Sequence, residues 1–339
     1  MLRSLAKRLR KKLKHFRRSV EKTRDSSRRG LIRRLILVYH RIRNVPIVWN
    51  FLNRRAVAAF RRAPPELSTL ERALVQKLRT DGIAIVQVNE LLPADVFQDL
   101  RRYALERWQD PEVRQRHSER GAAYDGEKLK TKDFFLVNLW DGEHVLDLGN
   151  PFLKFSLSEP ILKVVNSYMG MWSKFRAWHL QATVPMPADI GPISSQQWHR
   201  DPEDRKLVKM FLYMNDVEVD QGPFRYLRSS HSLGVWSRLY PQAHPAGSRA
   251  SADAIPAEDV VICTGPAGTL IFCDTSGFHC GGFARNGLRF MYTSVYSSSA
   301  SAWPVRYTYP ALPAPDSLSD PARFALDNDP DQRPPRYEK

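Results

Sequence analysis

Cysteine is scarce: Cys263, Cys273 and Cys280 are the only three in 339 residues. They are too few for a disulfide scaffold, and no CxxC pair offers the spacing of a cysteine-held metal, so a reducing compartment suits the chain. Also missing is any unbroken apolar stretch of the roughly 18 residues that a spanning helix needs. Acids are nearly absent from one region alone. Residues 1–62 hold 21 Lys and Arg but only Glu21 and Asp25, which leaves 31 bases against 34 acids in the rest. The net charge of +16 is therefore the property of an N-terminal arm, and the body is close to neutral. Hydrophobic residues make up 42%, with 8 Trp, 16 Phe and 12 Tyr. That is enough to bury a core in one large domain or two modest ones, and it excludes a wholly disordered chain.

Along the arm, Leu2, Leu5, Leu9, Leu13, Phe16 and Val20 fall three or four apart, one apolar stripe of a basic amphipathic helix. A second helical stretch follows Gly30, with Leu31, Leu35, Val38 and Ile42 on one face and Pro46 ending it. Arg33, Arg34, Arg41 and Arg43 interrupt it, so it can lie on a bilayer but not cross one. The composition fits an anionic membrane surface through residues 1–62. Nucleic acid ranks lower, because the slightly acidic body has no surplus of charge to follow a phosphate backbone. A transit peptide and a solvated helix remain open. The expected location is cytoplasmic, peripheral at a membrane, with organelle targeting not excluded.

From Pro64 the composition turns ordinary. Ser68 and Glu71 form a capping-box pattern that opens a helix to about Arg79, and Asp81-Gly82 turns into a short strand over 83–88. Pro93 opens a helix toward Trp108, and 109–132 reads as loop. Strand-like runs then recur at 175–184, 207–214, 224–227, 260–263, 269–273 and 289–297, which suggests a sandwich or barrel. Seven prolines between Pro310 and Pro335 mark an irregular tail. The expected organisation is an arm over 1–62, a domain over 63–310 with a helical lead-in (63–165) and a β core (166–310), and a tail over 311–339.

The segment that carries chemistry is Gln196-Gln-Trp-His-Arg-Asp-Pro202. His199 and Asp201 are two apart, so on an extended chain both leave by the same face. An isolated HxD is weak as a signal. Downstream, a strand from Gly268 ends in a turn that carries His279, and the next strand opens with Arg289. A closed double sheet can bring these strands against the HxD strand. His199, Asp201 and His279 would then cover one face of an iron and leave three positions open. Two suit a 2-oxo acid chelating through its keto and carboxylate oxygens, and the third suits O2. The far carboxylate of a dicarboxylic oxo acid needs a buried partner, and the guanidinium fork of Arg289 supplies one. Arg285, the rival, sits in an Arg-Asn-Gly turn and reads as solvated.

These residues resemble the phytanoyl-CoA dioxygenase-like family of Fe(II)- and 2-oxoglutarate-dependent oxygenases. The resemblance runs over about 66–300. It rests on Trp198-His-Arg-Asp201, the strand Met210-Phe-Leu-Tyr-Met with its Asn215-Asp216 turn, Gly222-Pro, Ser230-His231, the run from Gly268 to Asp274, His279 and Arg289. It implies a mostly β fold with flanking helices, a double-stranded β-helix or jelly-roll, cupin-like core. It also implies Fe(II) as cofactor, with 2-oxoglutarate and O2 as cosubstrates. The family has Pro-Gly where this chain has Arg228-Ser229. Related halogenases replace the carboxylate by a small residue, so Asp201 disfavours halogenation.

Of the other candidates, Gln181 on the preceding strand is within reach of the oxo acid. His231 reads as a structural histidine, Cys280 as a small packed residue, Trp198 and Tyr213 as core, and Lys132 as a solvated lysine near the mouth. The expected function is hydroxylation of an unactivated C–H bond in a small-molecule or lipid-linked substrate, with release of succinate and CO2. The alternative is a non-catalytic jelly-roll module tethered to membrane or nucleic acid by the arm.

Overall fold

The computed structural model describes residues 38, 42–115, 135–140, 147–187, 190–201, 203–237, 255–301, 305, 307 and 318–326. The arm's first stripe, Lys132, the 311–317 stretch and the whole of 116–134 and 238–254 lie outside these residues.

Nine described strands form two antiparallel sheets. The larger has six, in the order β1 (Ile83–Gln87), β7 (Thr269–Cys273), β4 (Leu207–Tyr213), β9 (Arg289–Ser297), β3 (Lys174–Thr183) and β2 (Leu136–Asn138). The smaller runs β6 (Val260–Cys263), β5 (Phe224–Leu227), β8 (His279–Cys280). The central strands are apolar on both faces because both faces are covered. In β4, Val208, Met210 and Leu212 join Leu270, Phe272 and Tyr292 in the core beneath the helices. Alternate residues Phe211 and Tyr213 meet Phe224, Tyr226 and Cys263 of the smaller sheet, with Ile271 and Cys273 between them. Two antiparallel sheets face to face, with helices on the outer side of the larger, meet the expectation of a mostly β fold with flanking helices.

The helical layer is α1 (Pro46–Arg62), α2 (Thr69–Asp81), α3 (Val88–Leu91), α4 (Ala94–Gln109), α5 (Pro151–Ser156) and α6 (Glu159–Met169), with α7 (Asp320–Leu326) near the end of the chain. The capping box at α2 forms as the sequence predicts: Glu71 N donates to Ser68 Oγ (3.1 Å) and Ser68 N donates to Glu71 Oε2 (2.7 Å). Gly82 ends α2 at φ +80°, the left-handed region open to glycine. The 63–165 lead-in is not purely helical, because it supplies β1 and β2, the two edges of the larger sheet.

Two segments differ from expectation. Pro46 follows a bend at Val45 and also opens α1, where a missing N–H costs nothing. α1 is fastened to the body: Trp49 Nε1 donates to buried Asp204 Oδ1 (2.8 Å), and Ala300 N donates to Asn53 Oδ1 (2.9 Å). The tail read as irregular contains α7, which buries Ala322, Ala325 and Leu326. Lys174 Nζ donates to Phe324 O (2.6 Å) and lies 3.7 Å above its ring.

Asp204 also accepts from Ser298 N (2.7 Å) and Arg205 N (2.7 Å), so α1, the end of β9 and the chain after Asp201 meet at one carboxylate. Trp49→Phe keeps most of the apolar contact and removes one bond to this group. A loss of about 1–3 kcal/mol in unfolding free energy is expected from urea titration; an unchanged midpoint would show that α1 contributes nothing through Asp204.

Candidate metal centre

His199 and His279 face each other across an antiparallel bridge, each backbone N–H donating to the other's carbonyl at 2.9 Å. The 196–201 segment thus lies along the outer edge of β8, whose other edge pairs with β5 through Tyr226 and His279. The two imidazoles stand 4.3 Å apart, centroid to centroid. Each Nδ1 meets a backbone carbonyl, Gln197 O at 2.8 Å for His199 and Gly277 O at 3.0 Å for His279. A carbonyl only accepts, so each Nδ1 carries the proton and each Nε2 keeps its lone pair. Two residues along the same face stands Asp201, with Oδ1 3.9 Å from His199 Nε2 and Oδ2 3.4 Å from His279 Nε2. One donor atom from each residue lies within 4.8 Å of the others, the only such described group able to hold a metal.

The charge states suit a divalent cation. Burial, with His199 beside it, pushes His279 down to about 3, so its imidazole is neutral at ordinary pH. Burial alone would raise the Asp201 carboxyl, but the charges around it, the Lys209 ammonium foremost at 2.6 Å from Oδ2, offset this and hold it well below the usual carboxylate range.

The cavity holding these groups is about 210 Å³ and extends to Arg289. Arg289 is buried at the start of β9, opposite Thr183 of β3. It donates to Gly222 O and, at 2.9 Å, to Thr183 Oγ1, while its buried Nε has no hydrogen-bond partner. A buried guanidinium with a donor to spare fits the far carboxylate of an oxo acid. Gln181 lines the same cavity, two residues along β3.

The family model for phytanoyl-CoA dioxygenase (PhyH) matches residues 47–287. The chain belongs to the phytanoyl-CoA dioxygenase family. Fe(II) and 2-oxoglutarate are that family's cofactor and cosubstrate, and the donor set described above fits both. No curated protein matches the chain. Solved structures similar to it include the epimerase SnoN, crystallised with Fe3+, alpha ketoglutarate and nogalamycin RO (17% identity over 74% of this chain and 93% of that one, TM-score 0.45). EctD from S. alaskensis, with 2-oxoglutarate and 5-hydroxyectoine, is 15% identical over 79% of this chain and 90% of its own (TM-score 0.44). AviO1 from Streptomyces viridochromogenes Tue57 is 17% identical over 69% and 98% (TM-score 0.44).

Arg228 and Ser229 stand where the PhyH family has Pro-Gly. Ser229 takes φ +58°, the conformation glycine would favour, and donates from N to Asp81 O (2.7 Å) and from Oγ to Thr80 O (2.8 Å). His231 is structural, as expected: buried, with Nε2 donating to Arg79 O (3.1 Å). Burial pushes the Cys280 thiol up to about 12, so it supplies no thiolate. Tyr213 is buried and Trp198 packs against Leu227, Ile255 and Phe278, both as core. Arg285 is exposed, as its Arg-Asn-Gly turn predicts, and it donates to the carbonyls of Met186, Pro187 and Ile190 (3.2 Å and 2.9 Å for the first and last). The sequence reading missed Lys209, whose Nζ lies 2.6 Å from Asp201 Oδ2, and Arg176, Glu203 and His179 on the same cavity wall. The available signal was a charged residue inside an apolar strand, Lys209 within Leu207–Tyr213 and Arg176 within Lys174–Thr183.

The turn that carries His279 has no room to spare. A Cβ on Gly277 would lie 2.2 Å from Tyr226 Oη and 2.7 Å from Ser230 Oγ. Gly277→Ala must move this turn, and with it the carbonyl that orients His279. An Fe(II) affinity about 10- to 100-fold weaker is expected in an anaerobic titration, whereas unchanged affinity in a folded variant would show that the turn does not set the ligand.

Proposed function

We propose that this protein is an Fe(II)- and 2-oxoglutarate-dependent dioxygenase that hydroxylates an unactivated C–H bond of a small-molecule or lipid-linked substrate. The observation that carries the reading is the convergence of His199, Asp201 and His279 in one cavity with Arg289. Iron held there with the oxo acid would supply oxidative decarboxylation by O2, yielding succinate and CO2, and oxidation of a nearby C–H bond. The chain's own part is positioning. Two neutral imidazoles and one carboxylate leave a net positive centre for a dianionic cosubstrate. Arg289 anchors the cosubstrate's distal carboxylate, and Phe211 and Phe224 line the wall between and limit water.

The test is anaerobic addition of Fe(II) and then 2-oxoglutarate, following the weak metal-to-ligand charge-transfer band in the visible. The band is expected in the wild type and absent from His279→Ala. Arg289→Ala should need about 10- to 100-fold more 2-oxoglutarate to reach it. A folded, iron-loaded protein with no band would favour the non-catalytic module.

We further propose that the arm rests on an anionic membrane surface. Five apolar side chains cluster where the described chain begins: Val38 (50% exposed), Ile42 (53%), Val45 (46%), Ile47 (81%) and Phe51 (61%). Arg54 lies 4.1 Å above the Phe51 ring, and 21 bases surround this stretch in sequence. No helix among the described residues is long and apolar enough to cross a membrane. The full chain is expected to sediment with phosphatidylserine vesicles, and Ile47→Ser with Phe51→Ser to release most of it at unchanged charge. Release by salt alone, with no effect of the double substitution, would point to a polyanion such as nucleic acid.

A further inference from the structure

His279 is the buried histidine of the ligand set, and the pose of its ring is set from outside the cavity. Its Nδ1 donates to Gly277 O (3.0 Å), so whatever fixes that carbonyl fixes the direction of Nε2. The carbonyl belongs to a tight turn. Gly277 N donates to Asp274 O (3.1 Å), and Ser276 N donates to Asp274 Oδ1 (2.9 Å). The second carboxylate oxygen is engaged as well, because Asp274 Oδ2 accepts from Tyr168 Oη of α6 at 2.5 Å. Asp274, Ser276 and Tyr168 are all buried.

Tyr168 is itself held at both ends. Lys206 Nζ lies 4.2 Å above its ring and donates to its carbonyl, and beside it Arg79 of α2 donates to Ser167 O (3.0 Å). A carboxylate between a clamped phenol and a turn amide cannot rotate without leaving one of these buried donors unpaired. We infer that Tyr168 and Asp274 are positioning residues for the metal ligand His279. The phenol fixes the carboxylate, the carboxylate shapes the turn, and the carbonyl of the turn sets the rotation of the imidazole. Without the Tyr168 bond the carboxylate is free to leave Ser276 N, and the ring then samples rotations that miss the metal. The inference rests on the oxygenase reading in one respect, that His279 ligates a metal, and it needs neither the oxo acid nor the substrate.

Co(II), whose visible ligand-field bands report its binding, is titrated anaerobically into the full chain, with Fe(II) as the second metal. Asp274→Ala and Tyr168→Phe should each weaken binding about tenfold or more. Asp274→Asn, which keeps an acceptor for Ser276 N, should return it close to the wild-type value. Tyr296→Phe is the control: it removes an equally buried phenol bond, to Ser156 O (2.7 Å), at α5 rather than at the turn. It should lower the urea midpoint and leave metal affinity unchanged. Wild-type affinity in a folded Asp274→Ala or Tyr168→Phe, no recovery with Asp274→Asn, or equal weakening by Tyr296→Phe would overturn the inference. If one of the two variants does not fold, the other decides; if neither folds, the pair supports the domain as a whole and the inference falls. Adding 2-oxoglutarate to the Fe(II)-loaded wild type separates the two readings. Metal binding without a charge-transfer band removes the oxygenase and leaves the positioning role to the Co(II) titrations, whereas a wild type that binds neither metal removes both.

Discussion

The site depends on the bridge between His199 and His279. Its two backbone hydrogen bonds fix which residues of two distant segments lie opposite, and in an antiparallel pair a slip of one residue turns every side chain to the other face. The bridge is reinforced in both directions. Gly281 N donates to Ser195 O (2.8 Å), and Asp201 N donates to Thr275 O (2.9 Å). The three ligands are thus placed by backbone, and the Nδ1 bonds to Gln197 and Gly277 need only set the rotation of each ring. This is an economical way to hold a cation, because the costly step, ordering three side chains from separate stretches, is carried by a ladder the sheet forms anyway.

Beneath the bridge lies Asp274, fully buried at the end of β7. Its carboxylate accepts from Tyr168 Oη of α6 (2.5 Å) and from Ser276 N (2.9 Å). Its backbone N donates to Gly82 O at the α2–β1 junction (2.8 Å), and its carbonyl accepts from Tyr226 Oη of β5 (3.0 Å). The helical layer and both sheets therefore meet at the start of the turn that carries His279. A buried acceptor deprived of its donor loses its solvation without compensation, which makes such a knot stiff. Arg200, between the two HxD ligands, points the other way, donating to Ser230 O (2.8 Å) and lying 4.5 Å above the Phe278 ring. The alternation of the extended chain thus sends His199 and Asp201 to the metal and Arg200 to the scaffold.

What was legible in the sequence is what short-range rules govern. The strands at 207–213, 269–273 and 289–297 are apolar runs bounded by turns, and burial on both faces made them continuous. The capping box at Ser68 and the HxD pair are local patterns. Contacts between distant residues were not legible. Trp49 meets Asp204 across 155 positions, and nothing near either residue announces the other. α1 was obscured because Arg54, Arg55, Arg61 and Arg62 continue the charge of the arm, while Trp49, Asn53 and Ala56, four and three apart, mark its buried face. Prolines around α7 suggested irregular chain, although Pro321 in a first helical turn is tolerated. Ser229 shows the reverse case: the family's glycine is gone, yet neighbouring carbonyls hold a serine in the left-handed conformation that glycine would adopt.

The seat of α1 and the charged end of the cavity share the same short segments. Asp204, which holds Trp49, follows directly on Glu203, which lines the cavity. Ala300, which donates to Asn53, precedes Ser301, which lines the cavity and donates from Oγ to Glu203 O (2.7 Å). α1 is therefore hydrogen-bonded to residues that adjoin the cavity wall beside Lys209. If the exposed apolar residues of α1 rest on a surface, it is this end of the cavity, and not the Arg289 end, whose lining adjoins the seat of the helix. The oxo acid needs no such link, being small, soluble and held by a guanidinium on the opposite side. A substrate delivered at the surface would gain from one, because the helix that met the surface would adjoin the cavity wall.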